Sequence, residues 1–202
     1  MAGANKHPTL LKVVILGDGG VGKSSLMNRF VNNEFDSQSF HTIGVEFLIK
    51  DINVGDCVYT MQIWDTAGQE RFKSLRTPFY RGTDCCLLTF DVNDAQSFEN
   101  LLMWKKEFLH YSDVREPDRF PFVLLGNKVD RGERVVTAQQ AKEWCAANGN
   151  MPYFETSAKD NINVEQAFVT AAELLRKTEA PIKAVFTDTV NLNKQGGKSG
   201  CC

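Results

Sequence analysis

The sequence predicts an α/β domain: a mostly parallel six-stranded sheet with one antiparallel edge strand and helices on both faces. Three observations carry this. Leu10 to Leu16 is apolar except for Lys12, and a glycine-rich turn and a helical pattern follow it directly. Further along, apolar runs at 84–91, 120–126 and 151–156 alternate with helical patterns, as buried parallel strands with crossover helices do. Residues 45–52 and 57–64 alternate in polarity around the turn signal Gly55-Asp56, which reads as a hairpin.

Taken in order, residues 1–9 are polar with Pro8 and read as a flexible N-terminus. After the first strand, Ser25 to Val31 places Leu26, Met27 and Phe30 at helical spacing. Val45, Phe47 and Ile49 are set against Glu46, Lys50 and Asp51, with Leu48 breaking the alternation; one face of this strand is expected to be exposed. Ser97 to Tyr111 reads as a helix with Phe98, Leu101, Leu102, Trp104 and Phe108 on one face. Val135 to Asn148 reads as another, closed by Gly149. Val164 to Lys177 is the last, with Val164, Ala167, Phe168, Ala171, Ala172 and Leu175 inward. Residues 178–202 lose all periodicity and carry Pro181 and several glycines, the composition of a flexible tail. One folded domain over residues 10–177 is the expected organisation.

The net charge of −2 leaves no basic field for nucleic acid. No apolar run reaches membrane-spanning length, and Lys12, Gly17 and Asp18 interrupt any signal-peptide pattern, so a cytosolic start is expected. Ala2 stands where myristoylation needs glycine. Of the six cysteines, Cys57, Cys85, Cys86 and Cys145 fall in or near apolar segments and read as reduced. Cys201 and Cys202 instead end the tail.

The turn Gly17-Asp18-Gly19-Gly20-Val21-Gly22-Lys23-Ser24 fits the phosphate-loop pattern G-x-x-x-x-G-K-[ST], which Ser25 follows into the helix. Its backbone N–H groups and the helix N-terminus suit an anion. Lys23 is placed to reach terminal phosphates and Ser24 to ligate Mg²⁺. A second segment, Trp64-Asp65-Thr66-Ala67-Gly68-Gln69-Glu70, ends a strand. Asp65 is placed to hold Mg²⁺ through water, Gly68 to bring its N–H to a γ-phosphate, and Gln69 to orient an attacking water. A third, Asn127-Lys128-Val129-Asp130, selects the base. Guanine offers adjacent N1–H and amino donors that a carboxylate matches and adenine lacks, so Asp130 reads guanine. Asn127 then positions, and the Lys128 stem covers the base.

With these motifs in place, the chain resembles a Ras-superfamily small GTPase. Glu155-Thr156-Ser157-Ala158-Lys159 matches the family's Ser-Ala-Lys loop, whose backbone N–H groups meet guanine O6. Ile43-Gly44-Val45-Glu46-Phe47, Trp64, Arg71-Phe72 and Tyr80-Arg81-Gly82 are similar to the Rab family. Residues 79–90, 117–122 and 188–192 are most similar to its Rab-nine subfamily.

The resemblance implies that Thr42 ligates Mg²⁺ and that Phe35 stacks near the guanine edge. It implies that Phe47, Trp64 and Tyr80 form a surface aromatic triad for effectors. It also implies geranylgeranylation of Cys201 and Cys202, two lipids where one would attach only marginally. A GTP/GDP switch follows, regulating vesicle traffic between late endosome and trans-Golgi network from their cytoplasmic faces and from a cytosolic pool. Hydrolysis would be slow alone. Partners would include a GTPase-activating protein, an exchange factor, a GDP-dissociation inhibitor, an escort protein with its prenyl transferase, and GTP-dependent effectors. An activating protein able to supply its own Arg and Gln would lessen the demand on Gln69. Two other classes fit the first motif alone: a metabolic ATPase or nucleotide kinase, and a nucleotide-locked scaffold without turnover.

Overall fold

The computed structural model describes residues 8–37, 42, 44–69 and 73–183. Residues 1–7, Ile43, Arg71, Phe72 and the tail from 184, with Cys201 and Cys202, lie outside the described residues. The architecture is the expected one. Strands β1 (Thr9–Leu16), β2 (Val45–Val54), β3 (Cys57–Thr66), β4 (Cys85–Asp91), β5 (Phe122–Asn127) and β6 (Tyr153–Glu155) form one sheet. Their order is β2-β3-β1-β4-β5-β6, and only β2 runs antiparallel to its neighbour.

The continuous apolar strands are the central ones because both their faces are covered. Along β4, Cys85 and Leu87 face one layer, while Cys86, Leu88 and Phe90 face the other. The first layer packs under α1 (Lys23–Asn32) and α6 (Val164–Lys183), where Phe30 stacks on Phe168 with ring centroids 4.2 Å apart. Ala167, Ala171 and Ala172 are small enough to let α6 lie close to the strands. The second layer holds Leu101, Trp104 and Phe108 of α4 (Leu101–Tyr111) and Ala141 and Cys145 of α5 (Ala138–Ala147).

Several boundaries differ from the sequence reading, each for a local reason. The helix expected from Ser97 is two pieces, α3 (Ala95–Glu99) and α4, meeting at Asn100. Asp94 caps the first piece by accepting from the Gln96 and Ser97 N–H groups, and the Asn100 amide donates to Asp18 at 2.7 Å. Helix α5 begins three residues later than expected. Thr137 and Gln140 form a reciprocal capping box there, and the Val135 and Val136 N–H groups are already held by the Val92 carbonyl. Helix α6 continues to Lys183, so the first residues assigned to the tail belong to the helix.

The expected exposed face of β2 is the one that carries Phe47 and Ile49. Leu48, taken as the break in the pattern, packs on the core with Ile52 and Val54, whereas Phe47 and Ile49 face outward. On an edge strand with an apolar outer face, alternation alone does not say which set of apolar residues is buried. The two isoleucines make a direct test. Ile52 is 5% exposed and Ile49 50%. In urea unfolding, Ile52→Ala is expected to cost about 2–4 kcal/mol, and Ile49→Ala to stay within about 0.5 kcal/mol of the parent.

Candidate functional site

Parallel strands deliver their following loops to one edge of the sheet, and the three central motifs meet there. They line a cleft of about 480 Å³ together with Phe35, Thr42 and the 158–159 loop. Its walls include Gly19, Gly20, Gly22, Lys23, Ser24, Ser25, Gly68, Gln69, Asn127, Lys128, Asp130, Ala158 and Lys159. Val21 and Ser157 are buried behind the walls.

At the phosphate end, Gly22 opens α1 with a left-handed φ of 97°, and no side chain caps the helix. A Cβ there would collide with the Asn127 amide, so glycine is required twice over. The first-turn N–H groups have no side-chain cap, which leaves the helix N-terminus open to an anion. The Lys23 ammonium donates to the carbonyls of Gly17 and Asp18, both at 2.8 Å. Burial lowers its pKa to about 8, although Asp65 and Asp18 pull the other way.

Three oxygens converge beside it. Ser24 Oγ lies 2.7 Å from Thr42 Oγ1, Thr42 Oγ1 donates to Asp65 Oδ2 at 3.2 Å, and Ser24 Oγ donates to the same carboxylate oxygen. Asp65 is fully buried, and its Oδ1 has no hydrogen-bond partner among the described residues. Burial holds its carboxyl above the ordinary value despite Lys23 and the two hydroxyls. Two hydroxyls and a desolvated carboxylate with one unsatisfied oxygen form a hard-oxygen donor set that fits Mg²⁺.

The Gly68 backbone lies directly against Asp18 and Gly19. A side chain at 68 would overlap that backbone, which keeps this segment within reach of the phosphate loop only as glycine.

At the opposite end, Asn127 donates to the Val21 carbonyl at 2.9 Å and accepts from Thr156 at 3.3 Å, tying three loops together. Lys128 crosses the cleft wall, donating to the Gly20 carbonyl at 2.6 Å and pairing with Asp91 at 2.8 Å. Burial raises the Asp91 carboxyl, but hydrogen bonds from Lys128 and Asn93 outweigh it and leave the group below its ordinary value. Ser157 donates to Asp130 Oδ1 at 2.6 Å and so aims that carboxylate.

Two residues escaped the sequence reading. Arg29 of α1 donates to the carbonyls of Ala158 at 2.8 Å and Lys159 at 3.1 Å, holding the loop at the base end. Its partners lie some 130 positions away, and in sequence it reads only as a basic residue near a helix C-terminus. Asp18 accepts from Trp104 Nε1 and Asn100 Nδ2, both at 2.7 Å, which anchors the phosphate loop to α4.

One assignment needs correction. Tyr80 is not on the surface: it is fully buried and donates to Glu107 at 3.0 Å. Its neighbour Phe79 packs on Trp64 at 5.3 Å between centroids, and Trp64 stacks on Phe47 at 4.9 Å. The half-exposed aromatic row is therefore Phe47, Trp64 and Phe79. A short 3₁₀ turn over Thr77–Tyr80 sends adjacent residues to opposite sides, so a one-position choice decides between surface and core.

The family model described as "Ras family" matches residues 12–177. Ras-related protein Rab-9A of Mus musculus is 63% identical over 196 residues, covering 96% of this chain and 98% of that protein. Ras-related protein Rab-9B of Mus musculus is 62% identical, over 96% of this chain and 97% of its own length. Ras-related protein Rab-7a of Dictyostelium discoideum is 56% identical over 204 residues, covering 98% of this chain and all of that protein.

The Arg29 clamp yields a measurable expectation. Arg29→Ala removes two charge-assisted bonds from the 158–159 loop. Dissociation of a fluorescent guanine nucleotide should quicken about tenfold, equivalent to roughly 1.4 kcal/mol. Arg29→Lys, with a single point charge, should recover only part of the loss.

Proposed function

Because this chain belongs to the Rab branch of the Ras family, and is therefore a GTP-binding GTP hydrolase of protein transport, we propose that it is a switch for vesicle traffic between late endosomes and the trans-Golgi network. Similarity to the Rab-9 relatives over nearly the whole chain supports the route. As in Rab proteins generally, its cycle involves an exchange factor, an activating protein, a GDP-dissociation inhibitor and effectors. No helix among the described residues is long and apolar enough to cross a membrane. Membrane attachment falls to geranylgeranyl groups on Cys201 and Cys202, added with the help of an escort protein and a prenyl transferase.

The observation that carries the switch reading is the convergence of Ser24, Thr42 and Asp65, with the Gly68 backbone packed on the same loop. Thr42 and Gly68 belong to two separate segments, and both reach the phosphate end of the cleft. A γ-phosphate there holds both; its loss releases both. Lys23 and the phosphate-loop N–H groups bind the β- and γ-phosphates. Ser24 and Thr42 would hold Mg²⁺, with Asp65 behind them, and the ion would supply charge neutralisation at the phosphate oxygens. Gln69 orients the water whose oxygen bonds to the γ-phosphorus as the bridging bond breaks, its electron pair leaving on GDP. Unaided, that step is slow. Asp130 accepts from guanine N1–H and the amino group, with Asn127 and the Lys128 stem positioning the base, Phe35 at its edge, and the Ser157-Ala158-Lys159 backbone at O6. Phe47, Trp64 and Phe79 form the aromatic part of the effector surface.

The base reader is tested by Asp130→Asn, which replaces one acceptor by donors. Preference should move from guanosine toward xanthosine nucleotides by at least about a hundredfold, well inside the roughly 10⁴–10⁵-fold by which a site built for one hydrogen-bond pattern can reject another. Unaltered GTP affinity would remove the assignment. Ser24→Asn should lower GTP affinity relative to GDP and impose a higher Mg²⁺ requirement, measured by nucleotide exchange against a Mg²⁺ titration.

A further inference from the structure

Among the described arginines only Arg76 is buried, with 1% of its surface exposed. It ends the short helix α2 (Lys73–Arg76), just beyond the segment that carries Gly68 and Gln69. A buried guanidinium must be paired to be tolerated, and this one is paired completely. Its Nε and Nη2 form a two-point bridge to Glu107 of α4, at 2.9 and 3.1 Å. Its plane lies over the Trp104 ring, 4.4 Å from the centroid. The remaining donor, Nη1, reaches the Gln69 carbonyl at 2.7 Å and the Ala67 carbonyl at 3.4 Å.

Glu107 is saturated as well. It accepts from the Tyr80 hydroxyl at 3.0 Å and pairs with Lys73 at 3.4 Å, so four donors hold one carboxylate. Trp104 and Glu107 stand three positions apart and share one face of α4. Trp104 also donates to Asp18 of the phosphate loop. The result is a rigid frame, built on α4, that grips the phosphate loop with one side chain and the 67–69 backbone with another.

We infer that Arg76 is a positioning residue for GTP hydrolysis: braced by Glu107 and Trp104, it holds the Ala67–Gln69 backbone where the Gly68 N–H and the Gln69 side chain meet the γ-phosphate and the attacking water. Arg76 touches neither nucleotide nor water and acts through the two carbonyls. The inference rests on the reading of Gly68 and Gln69 given above. It adds a part that neither motif contains, since the phosphate-loop and Asp65–Gln69 patterns both end before residue 76.

This predicts a separation between chemistry and binding. Loss of the Arg76 contacts frees the 67–69 backbone, while the walls that hold the base and the phosphates keep their own bonds. A misplacement of about 1 Å in a reacting group can slow a reaction a hundredfold. Arg76→Met keeps the volume, and Arg76→Lys keeps a charge near Glu107 without a fork to span both partners. Glu107→Gln leaves Arg76 in place but removes its counter-charge.

The test is single-turnover hydrolysis of preloaded GTP by the full chain, with dissociation of fluorescent GDP and thermal unfolding measured on the same samples. Arg76→Met should hydrolyse at least about tenfold more slowly, with Arg76→Lys and Glu107→Gln between it and the parent, and GDP dissociation should stay within about threefold. Met151→Ala, in the core near the start of β6, provides a variant of lowered melting temperature remote from the cleft. It should hydrolyse at the parental rate, so that instability alone is separated from positioning. Unchanged hydrolysis in folded Arg76→Lys and Glu107→Gln overturns the inference. So does slowing in Met151→Ala equal to that in Arg76→Met. Gln69→Ala, run in parallel, keeps the two readings apart. If Gln69→Ala is slow and the Arg76 variants are not, only the positioning role fails. If the Arg76 variants are slow and Gln69→Ala is not, the positioning role stands through Gly68 and the water-orienting role of Gln69 fails.

Discussion

The bond from the Asn127 amide to the Val21 carbonyl sets the separation between the two ends of the cleft. Asn127 ends β5 and Val21 follows β1, and β4 lies between those strands in the sheet. Strands two places apart stand roughly 10 Å from each other, so a side chain can bridge their loops only if nothing intervenes. Gly22 supplies that clearance, because a Cβ there would come too close to the Asn127 amide nitrogen. Lys128 then repeats the bridge to Gly20 one residue along. Base end and phosphate end are thereby parts of one rigid body, and a ligand that spans them meets a preformed distance rather than two loose loops.

Against that fixed half, the remaining groups are attached by few and replaceable contacts. Thr42 reaches the site through hydroxyl contacts with Ser24 and Asp65, and Gly68 meets the phosphate loop by backbone proximity, its own segment being held from the far side by Arg76. A small change at the phosphate end can therefore release them while the Asn127 and Lys128 bridges stay intact. The division between rigid and releasable parts follows from the kinds of contact each makes: a buried amide-to-carbonyl bond and a lysine-to-carbonyl bond on one side, shared hydroxyl and carboxylate oxygens on the other. Helix α4 stands behind both, since Trp104 donates to the phosphate loop while its ring lies under Arg76.

Most of the fold was legible because buried parallel strands and amphipathic helices write their periods plainly, as at 84–91 and 164–177. The motif residues were legible for a different reason: backbone-cradling loops and hard-oxygen sites admit few residue types. The cleft brings together residues from all four segments named in the sequence. What stayed hidden depended on contacts between distant positions. Arg29 reads as an ordinary helical arginine until Ala158 and Lys159 are folded onto it. Arg76 sits in a stretch whose polarity suggests solvent, and nothing local announces Glu107 as its partner. The inward set of β2 was not legible because an apolar outer surface imitates a core, and Tyr80 was placed outside by resemblance at a 3₁₀ turn where one position separates surface from core. Family membership, not residue spacing, excludes the metabolic ATPase and the locked scaffold.

The outer face of β2 and β3 has a consequence for how such a protein can diversify. On a pleated strand, alternate positions look opposite ways. Leu48, Ile52 and Val54 are committed to the interior, while Phe47 and Ile49, on either side of Leu48, face outward, Phe47 against the Trp64 ring. Residues that hold the core and residues free to face a partner thus alternate along the same ten positions. A duplicated copy of the chain could exchange its outward set for another, acquiring new partners, while its melting behaviour and its nucleotide chemistry stayed as they were.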